Sequence, residues 1–210
     1  MKSIFYKAIY AGLLIGIAAV AYLSVDNAYL GSLLFGFGLL MIVSSGYYLY
    51  TGKVGYWVKE KNYIKVLITT LGGNLIGTFI IGIMVRLMQL PIITKTEAIV
   101  ELKMENGLVK VLILSILCGM MMYLGVDGFR KAKNDVVKVV LVLFAVMIFI
   151  LSKFEHSVAN MAYFVISANY SLKSLVYLVV MIIGNGLGAI GLCFMDKSIE
   201  RLDQPKTENT

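Results

Sequence analysis

Ser152-Lys153-Phe154-Glu155-His156-Ser157-Val158-Ala159-Asn160-Met161 lies in the middle of an otherwise apolar run, residues 136–166. A run of that length exceeds what one straight helix needs to cross a hydrocarbon core of about 30 Å. Lys153, Glu155 and His156 decide how it must be read. At mid-membrane depth a charged side chain turned to lipid costs about 2.5–3.5 kcal/mol on an insertion scale. Three such neighbours are therefore expected to face protein or a water-filled cavity, with the helix broken near the midplane.

A second interruption precedes it. The apolar run over residues 29–50 ends in Leu49-Tyr50-Thr51-Gly52-Lys53 and resumes as Val54-Gly55-Tyr56-Trp57-Val58, which is too short to span. This run too reads as a helix broken near the midplane. Four uninterrupted runs complete the set: residues 8–25, 63–90 (closed by Pro91), 108–126 and 175–195. A polar segment over 94–106 separates the halves, a charged loop covers 127–135, and a polar tail is expected over 197–210. The spacing predicts an all-α integral membrane protein of six spans. Composition agrees, with 60% hydrophobic residues, 15% charged residues and mean hydropathy +0.86, against about 45–50% apolar and 25% charged in soluble domains.

The net charge of +7 does not point to nucleic acid, because Lys and Arg stand in short runs between apolar stretches rather than on one basic face. One side collects Lys2, Lys7, Lys53, Lys59, Lys61, Lys65, Arg130, Lys131, Lys133, Lys138, Lys197, Arg201 and Lys206. The other has Arg86, Lys95, Lys103, Lys110 and Lys173. By the positive-inside rule both termini are expected in the cytoplasm of a multi-pass protein of the cell membrane. Lys2 and Lys7 before the first run resemble a signal peptide, but no small-residue cleavage site follows, so an uncleaved first span is expected. Cys118 and Cys193 fall inside apolar runs and read as buried apolar side chains, not as a disulfide or metal ligands.

The halves echo each other. Gly73-Asn74-Leu75-Ile76-Gly77 recurs as Gly184-Asn185-Gly186-Leu187-Gly188, 111 positions later, and the two interruptions lie about 105 positions apart. Three spans followed by three place the second copy upside down, giving two inverted three-helix repeats over about 1–93 and 107–196, within one channel domain over 1–196. Paired interruptions in inverted halves point to a binding site at the repeat interface. Aquaporin-like pores and several transporter classes share that plan.

The motif Phe154-Glu155-His156-Ser157-Val158-Ala159-Asn160-Met161 resembles the signature of the formate/nitrite transporter family. Leu49-Tyr50-Thr51-Gly52, both Gly-Asn-x-x-Gly segments and the opening Phe5-Tyr6-Lys7-Ala8-Ile9-Tyr10-Ala11-Gly12 are also similar to that family, so the resemblance covers nearly the whole chain. It implies an aquaporin-like protomer in a homo-pentamer, passing formate, nitrite, hydrosulfide or similar anions, with no cofactor and no metal. It further implies that His156 is the central pore histidine and Thr51 the hydroxyl opposite it. Leu39 and Tyr50 would form one apolar constriction and Phe149 the other. Lys103 would lie near the outer vestibule, with Glu155 and Asn160 bracing the broken loop. Two positions depart from the pattern: Lys153 stands where the family has a small residue, and Gly119 where its fourth helix often carries Asn. The segment after Thr51 is also shorter than in longer members.

The chemistry is coherent without the resemblance. A bare anion loses hydration in an apolar channel, so positive potential and half-helix N-termini are needed to lower its barrier. An imidazole and a hydroxyl between apolar gates would donate a proton or a hydrogen bond to a weak-acid anion. Lys153 could add a cation near the pore centre, pair with Glu155 or face a subunit contact. Two rival functions remain admissible from sequence: an intramembrane enzyme using His156 and Glu155 as base and acid, and a pore for neutral solutes. No nucleophile–base–orienter set supports the first, and the asparagine–proline half-helix signatures of aquaporins are absent for the second. The expected partners are a small anion and membrane lipid.

Overall fold

The structure is a computed structural model that describes residues 1–60 and 62–203. Lys61 and Lys206, both counted in the basic set, lie outside the described residues, as does the tail from 204 onward. The chain is all-helical, with no strand among the described residues. In order, the elements are α1 (Lys2–Leu23), α2 (Ala28–Ser44), the short α3 (Tyr50–Lys53) running into a 3-10 turn (Val54–Val58), α4 (Ile64–Leu87) and α5 (Ile92–Glu105). They are followed by α6 (Leu108–Lys131), α7 (Asp135–Leu151), α8 (Ser157–Ile166) and α9 (Leu172–Leu202). Helices α1, α4, α6 and α9 are each long and apolar enough to cross a membrane.

Small residues set the main packing. Helix α1 lies against α4 and α6 against α9 so closely that a Cβ on Gly12 would overlap the Asn74 backbone, and one on Gly119 the Asn185 backbone. Gly77 and Gly188 repeat the arrangement against the carbonyls of Ile9 and Ile116. Helix backbones in lipid gain from such close approach because van der Waals contact and polar pairing hold them together. The outward faces stay apolar, with Phe79, Leu87, Val109, Phe144 and Leu172 all exposed, as expected for surfaces that meet lipid or another subunit rather than water.

Two boundaries differ from the sequence reading. The segment over 94–106 is a helix, α5, seated by buried Ile92, Thr96 and Val100 at a spacing of four. Its charge hid that narrow apolar edge. Helix α9 continues past Met195 to Leu202 instead of giving way to a tail at 197. Polar contacts hold the extra turns: Asp196 accepts from Lys131 Nζ at 2.8 Å and from the Tyr123 hydroxyl at 2.9 Å, and Lys197 Nζ donates to the Val58 carbonyl at 3.1 Å.

Candidate functional site

Two irregular loops, residues 45–49 and 152–156, face each other inside the bundle. Each begins as a helix ends in a left-handed residue, Gly46 (φ 66°) after α2 and Lys153 (φ 55°) after α7. In each the following N–H reaches back to close the last turn: Tyr47 to Ile42 at 2.9 Å and Phe154 to Phe149 at 2.9 Å. Glycine takes this backbone freely, whereas a lysine pays a steric penalty for it.

One buried asparagine fastens each loop. Asn74 Nδ2 donates to the carbonyls of Ala8 and Tyr48, and its Oδ1 accepts the Tyr50 N–H, all at 2.8 Å. Asn185 Nδ2 donates to Ser115 and Glu155, and its Oδ1 accepts the Ser157 N–H, again at 2.8 Å. Each amide thus satisfies one N–H and one carbonyl of the loop that would otherwise be buried unpaired, and ties the loop to a carbonyl inside α1 or α6. The matching bonds pair Tyr48 with Glu155 and Tyr50 with Ser157, which sets Leu49 opposite His156 at a register of 107 positions, close to the approximate 105 read from sequence.

His156 is buried and caps α8: its Nδ1 accepts the Ala159 N–H at 3.1 Å. That acceptor role leaves the ring proton of the neutral imidazole on Nε2. Nε2 lies 3.0 Å from Thr51 Oγ1 and so donates to it. The hydroxyl hydrogen of Thr51 then has no acceptor among the described hydrogen bonds. Phe149 stacks on the imidazole with ring centres 5.4 Å apart, and Phe35 meets Phe149 edge-on at 5.8 Å. The ring is thereby fixed in both tilt and tautomer. Ser157 Oγ has no hydrogen-bond partner among the described residues, and both ring nitrogens of His156 are directed elsewhere, Nδ1 to Ala159 and Nε2 to Thr51.

Glu155 is 2% exposed and accepts from Lys103 Nζ at 2.5 Å and from Asn160 Nδ2 at 2.9 Å. A buried carboxylate persists only with such partners. Lys103 therefore arrives from α5 as the counter-ion of the loop, and its charge is spent there. Lys153 is exposed and makes no ion pair among the described residues.

Two cavities approach this centre from opposite ends of α6. One, of about 380 Å³, is lined by Leu39, Gly46, Leu49, Gly52, Lys53 and Arg130, toward the α6 C-terminus. The other, of about 390 Å³, is lined by Lys103, Lys110, Phe149, Lys153, Glu155 and His156, toward the α6 N-terminus. Of the residues singled out from sequence, Leu39 lines the first of these spaces and His156, Phe149, Lys103, Lys153, Glu155 and Asn160 the second, while Thr51 is buried behind them against His156. Tyr50 turns away: its hydroxyl donates to the Ile182 carbonyl of α9 at 3.1 Å, and Leu49 instead of Tyr50 lines the first cavity beside Leu39. Gly119 is a helix contact against Asn185, where no Asn side chain fits. Sequence reasoning passed over Leu49 and the bracing role of Asn74 and Asn185. The amides were detectable, since a buried Asn repeated beside two close-packing glycines needs partners.

No curated protein sequence matches the chain significantly. Among solved structures, it is similar to a pentameric formate channel with formate bound, at 24% identity and TM-score 0.83, covering 96% of this chain and 98% of that one. It is also similar to an FNT family ion channel, at 20% identity and TM-score 0.79, covering 94% of this chain and 88% of that one. These likenesses carry the fold. The sequence model of the formate/nitrite transporter family matches residues 1–197, and with that extent of match this multi-pass membrane protein belongs to the formate/nitrite transporter family.

Proposed function

We propose that the chain is a channel for small monovalent weak-acid anions such as formate, nitrite or hydrosulfide, with Thr51 and His156 at its centre. The observation that carries this reading is the 3.0 Å contact between those side chains, set between two cavities with cationic linings. In the second cavity Lys110 and Lys153 attract the anion, since Glu155 and Lys103 cancel each other. The N-terminus of α8 adds partial positive charge at His156. The donor chain His156 Nε2–H to Thr51 Oγ1, then Thr51 O–H to the solute, stabilises an anion that has lost its water. Because Nδ1 is occupied by the Ala159 N–H, the imidazole supplies a hydrogen bond, and the neutralising proton comes from vestibule water. Phe149 on one side and Leu39 with Leu49 on the other form the apolar constrictions that only a neutralised or tightly hydrogen-bonded solute passes.

The same reading makes α2 with α3 and its 3-10 turn one broken span, and α7 with α8 the other. Six spans then fall into two inverted repeats, about 1–93 and 107–196, related by the matching Asn74 and Asn185 contacts. Both termini lie in the cytoplasm, so Lys53 and Arg130 line the inner mouth and Lys103, Lys110 and Lys153 the outer. The assembly is a homo-pentamer, which the exposed apolar helix faces accommodate. The test is flux into proteoliposomes of formate, nitrite and hydrosulfide at several pH values, with His156→Ala alongside. Selective flux that rises with acidity and changes with His156 is expected. Equal flux by wild type and variant at every pH would overturn the role of the histidine, and no flux of any of these anions would overturn the substrate class.

A further inference from the structure

The inner cavity is left with two cations, more charge than a singly charged anion in transit balances. Lys53 closes α3 and Arg130 lies in the last turn of α6, and both line this cavity beside Gly46 and Gly52. Neither makes an ion pair among the described residues. They rest on aromatic rings instead: Lys53 Nζ is 4.7 Å from the centre of Tyr48, and the Arg130 guanidinium 4.6 Å from that of Tyr56. A ring face holds a cation without taking its N–H donors, and the contact Arg130 makes with the Tyr56 side chain leaves others of its N–H groups over. The two charges are close enough to act on each other.

Nearby carboxylates are engaged or remote. Asp127 accepts from the Tyr56 hydroxyl at 2.9 Å and pairs with Lys131 at 2.8 Å. Lys138, the third cation on the cavity, pairs with Asp135 at 2.8 Å. Glu60 acts on Lys53 from an exposed turn, and Lys7 opposes it with positive charge. Two cations from different elements thus remain across one space. A doubly charged oxyanion balances both, with the planar guanidinium offering parallel N–H groups to two oxygens and the ammonium reaching a third. Such an ion cannot go on past Leu39 and Leu49, because one proton leaves it still charged and desolvation then forbids passage.

We propose that the Lys53–Arg130 cavity binds a small multivalent oxyanion of the phosphate class, which occupies the inner mouth and blocks conduction from that side. The block rests on the channel reading above; the docking does not. Inorganic phosphate is the probe, with full-length protein. Phosphorus NMR line broadening on solubilised protein reads docking, and proteoliposome flux with phosphate on one face or the other reads block. Broadening is expected with wild type and with the charge-keeping Lys53→Arg variant. It should weaken about tenfold or more in the Lys53→Met/Arg130→Gln double variant, the loss due to charge-assisted contacts. Block is expected from the Lys53 face only, relative to each variant's own phosphate-free flux. Broadening that persists in the double variant overturns the site whether or not the protein conducts. In a conducting protein, equal block by chloride at matched ionic strength, or no one-sided block, overturns the plug. Absence of all anion flux strikes the channel reading instead, while the phosphorus signal still decides the site.

Discussion

At the loop after α2 the chain turns through Gly46, presents Leu49 and enters α3; at the loop after α7 it turns through Lys153, presents His156 and enters α8. Both are fastened by an asparagine with the same three bonds. The furnishings diverge. Tyr48 stands where the second loop has Glu155, and it carries the Lys53 ammonium on its ring face where Glu155 forms an ion pair with Lys103. The first loop supplies the hydroxyl, one residue into α3, and the second the imidazole that holds it. The difference teaches that the asparagine bonds shape each loop, whereas the residues at its tip assign the chemistry proposed for it.

The largest effect should come from the part of the second loop that the first lacks. Lys103→Met leaves Glu155 buried without its counter-ion, and thermal unfolding of the solubilised assembly should register a loss of about 3–5 kcal/mol. Adding Glu155→Gln should restore much of it, because the neutral amide no longer needs the lysine.

Next come the fasteners. Asn74→Ala and Asn185→Ala each strand one loop N–H and one loop carbonyl and cut the tie to α1 or α6, and each should cost on the order of 3 kcal/mol by the same melting assay. Closely matched losses sustain the pairing of the loops, and a variant that melts like wild type breaks it.

A smaller change converts one tip into the other. His156→Leu copies Leu49 into the second loop, removing the α8 cap at about 1 kcal/mol. Anion flux should fall about tenfold or more as a hydrogen bond to charge is lost. Undiminished flux would mean that the tips are interchangeable.

The gentlest test is Lys153→Gly, which gives the second loop the turn residue of the first. Relief of the left-handed backbone should raise stability by about 1 kcal/mol. Flux from the outer face should slow at low salt and recover at high salt, where screening makes Lys153 matter less. A salt-independent rate would place Lys153 outside the path.

The helical class was legible because the lengths of apolar runs and the placement of charges between them can be read without knowing any contact. Lys153, Glu155 and His156 betrayed their loop for the same reason: ionisable groups in an apolar run demand an explanation. Contacts that depend on direction were not legible. Tyr50 reads as a pore residue, yet its backbone N–H is held by Asn74, and this turns the ring toward α9. Lys103 reads as one charge among several on α5, and only the fold brings it to a carboxylate 52 residues away. Gly119 reads as a missing polar group because spacing cannot reveal how closely α6 approaches α9.

Each asparagine draws its partners from its own half: Asn74 from Ala8, Tyr48 and Tyr50, and Asn185 from Ser115, Glu155 and Ser157. Thr51 and His156 meet only across the halves. During synthesis the first half can therefore complete its own wiring before the second leaves the ribosome. The chain could be cut in the turn between α4 and α5, leaving Lys103 with its carboxylate, and two separately translated pieces would retain every bond that shapes the loops. The donor pair would have to wait for them to dock, as would the contacts of Tyr50 with Ile182, Tyr56 with Asp127, Arg86 with Ile166 and Lys197 with Val58.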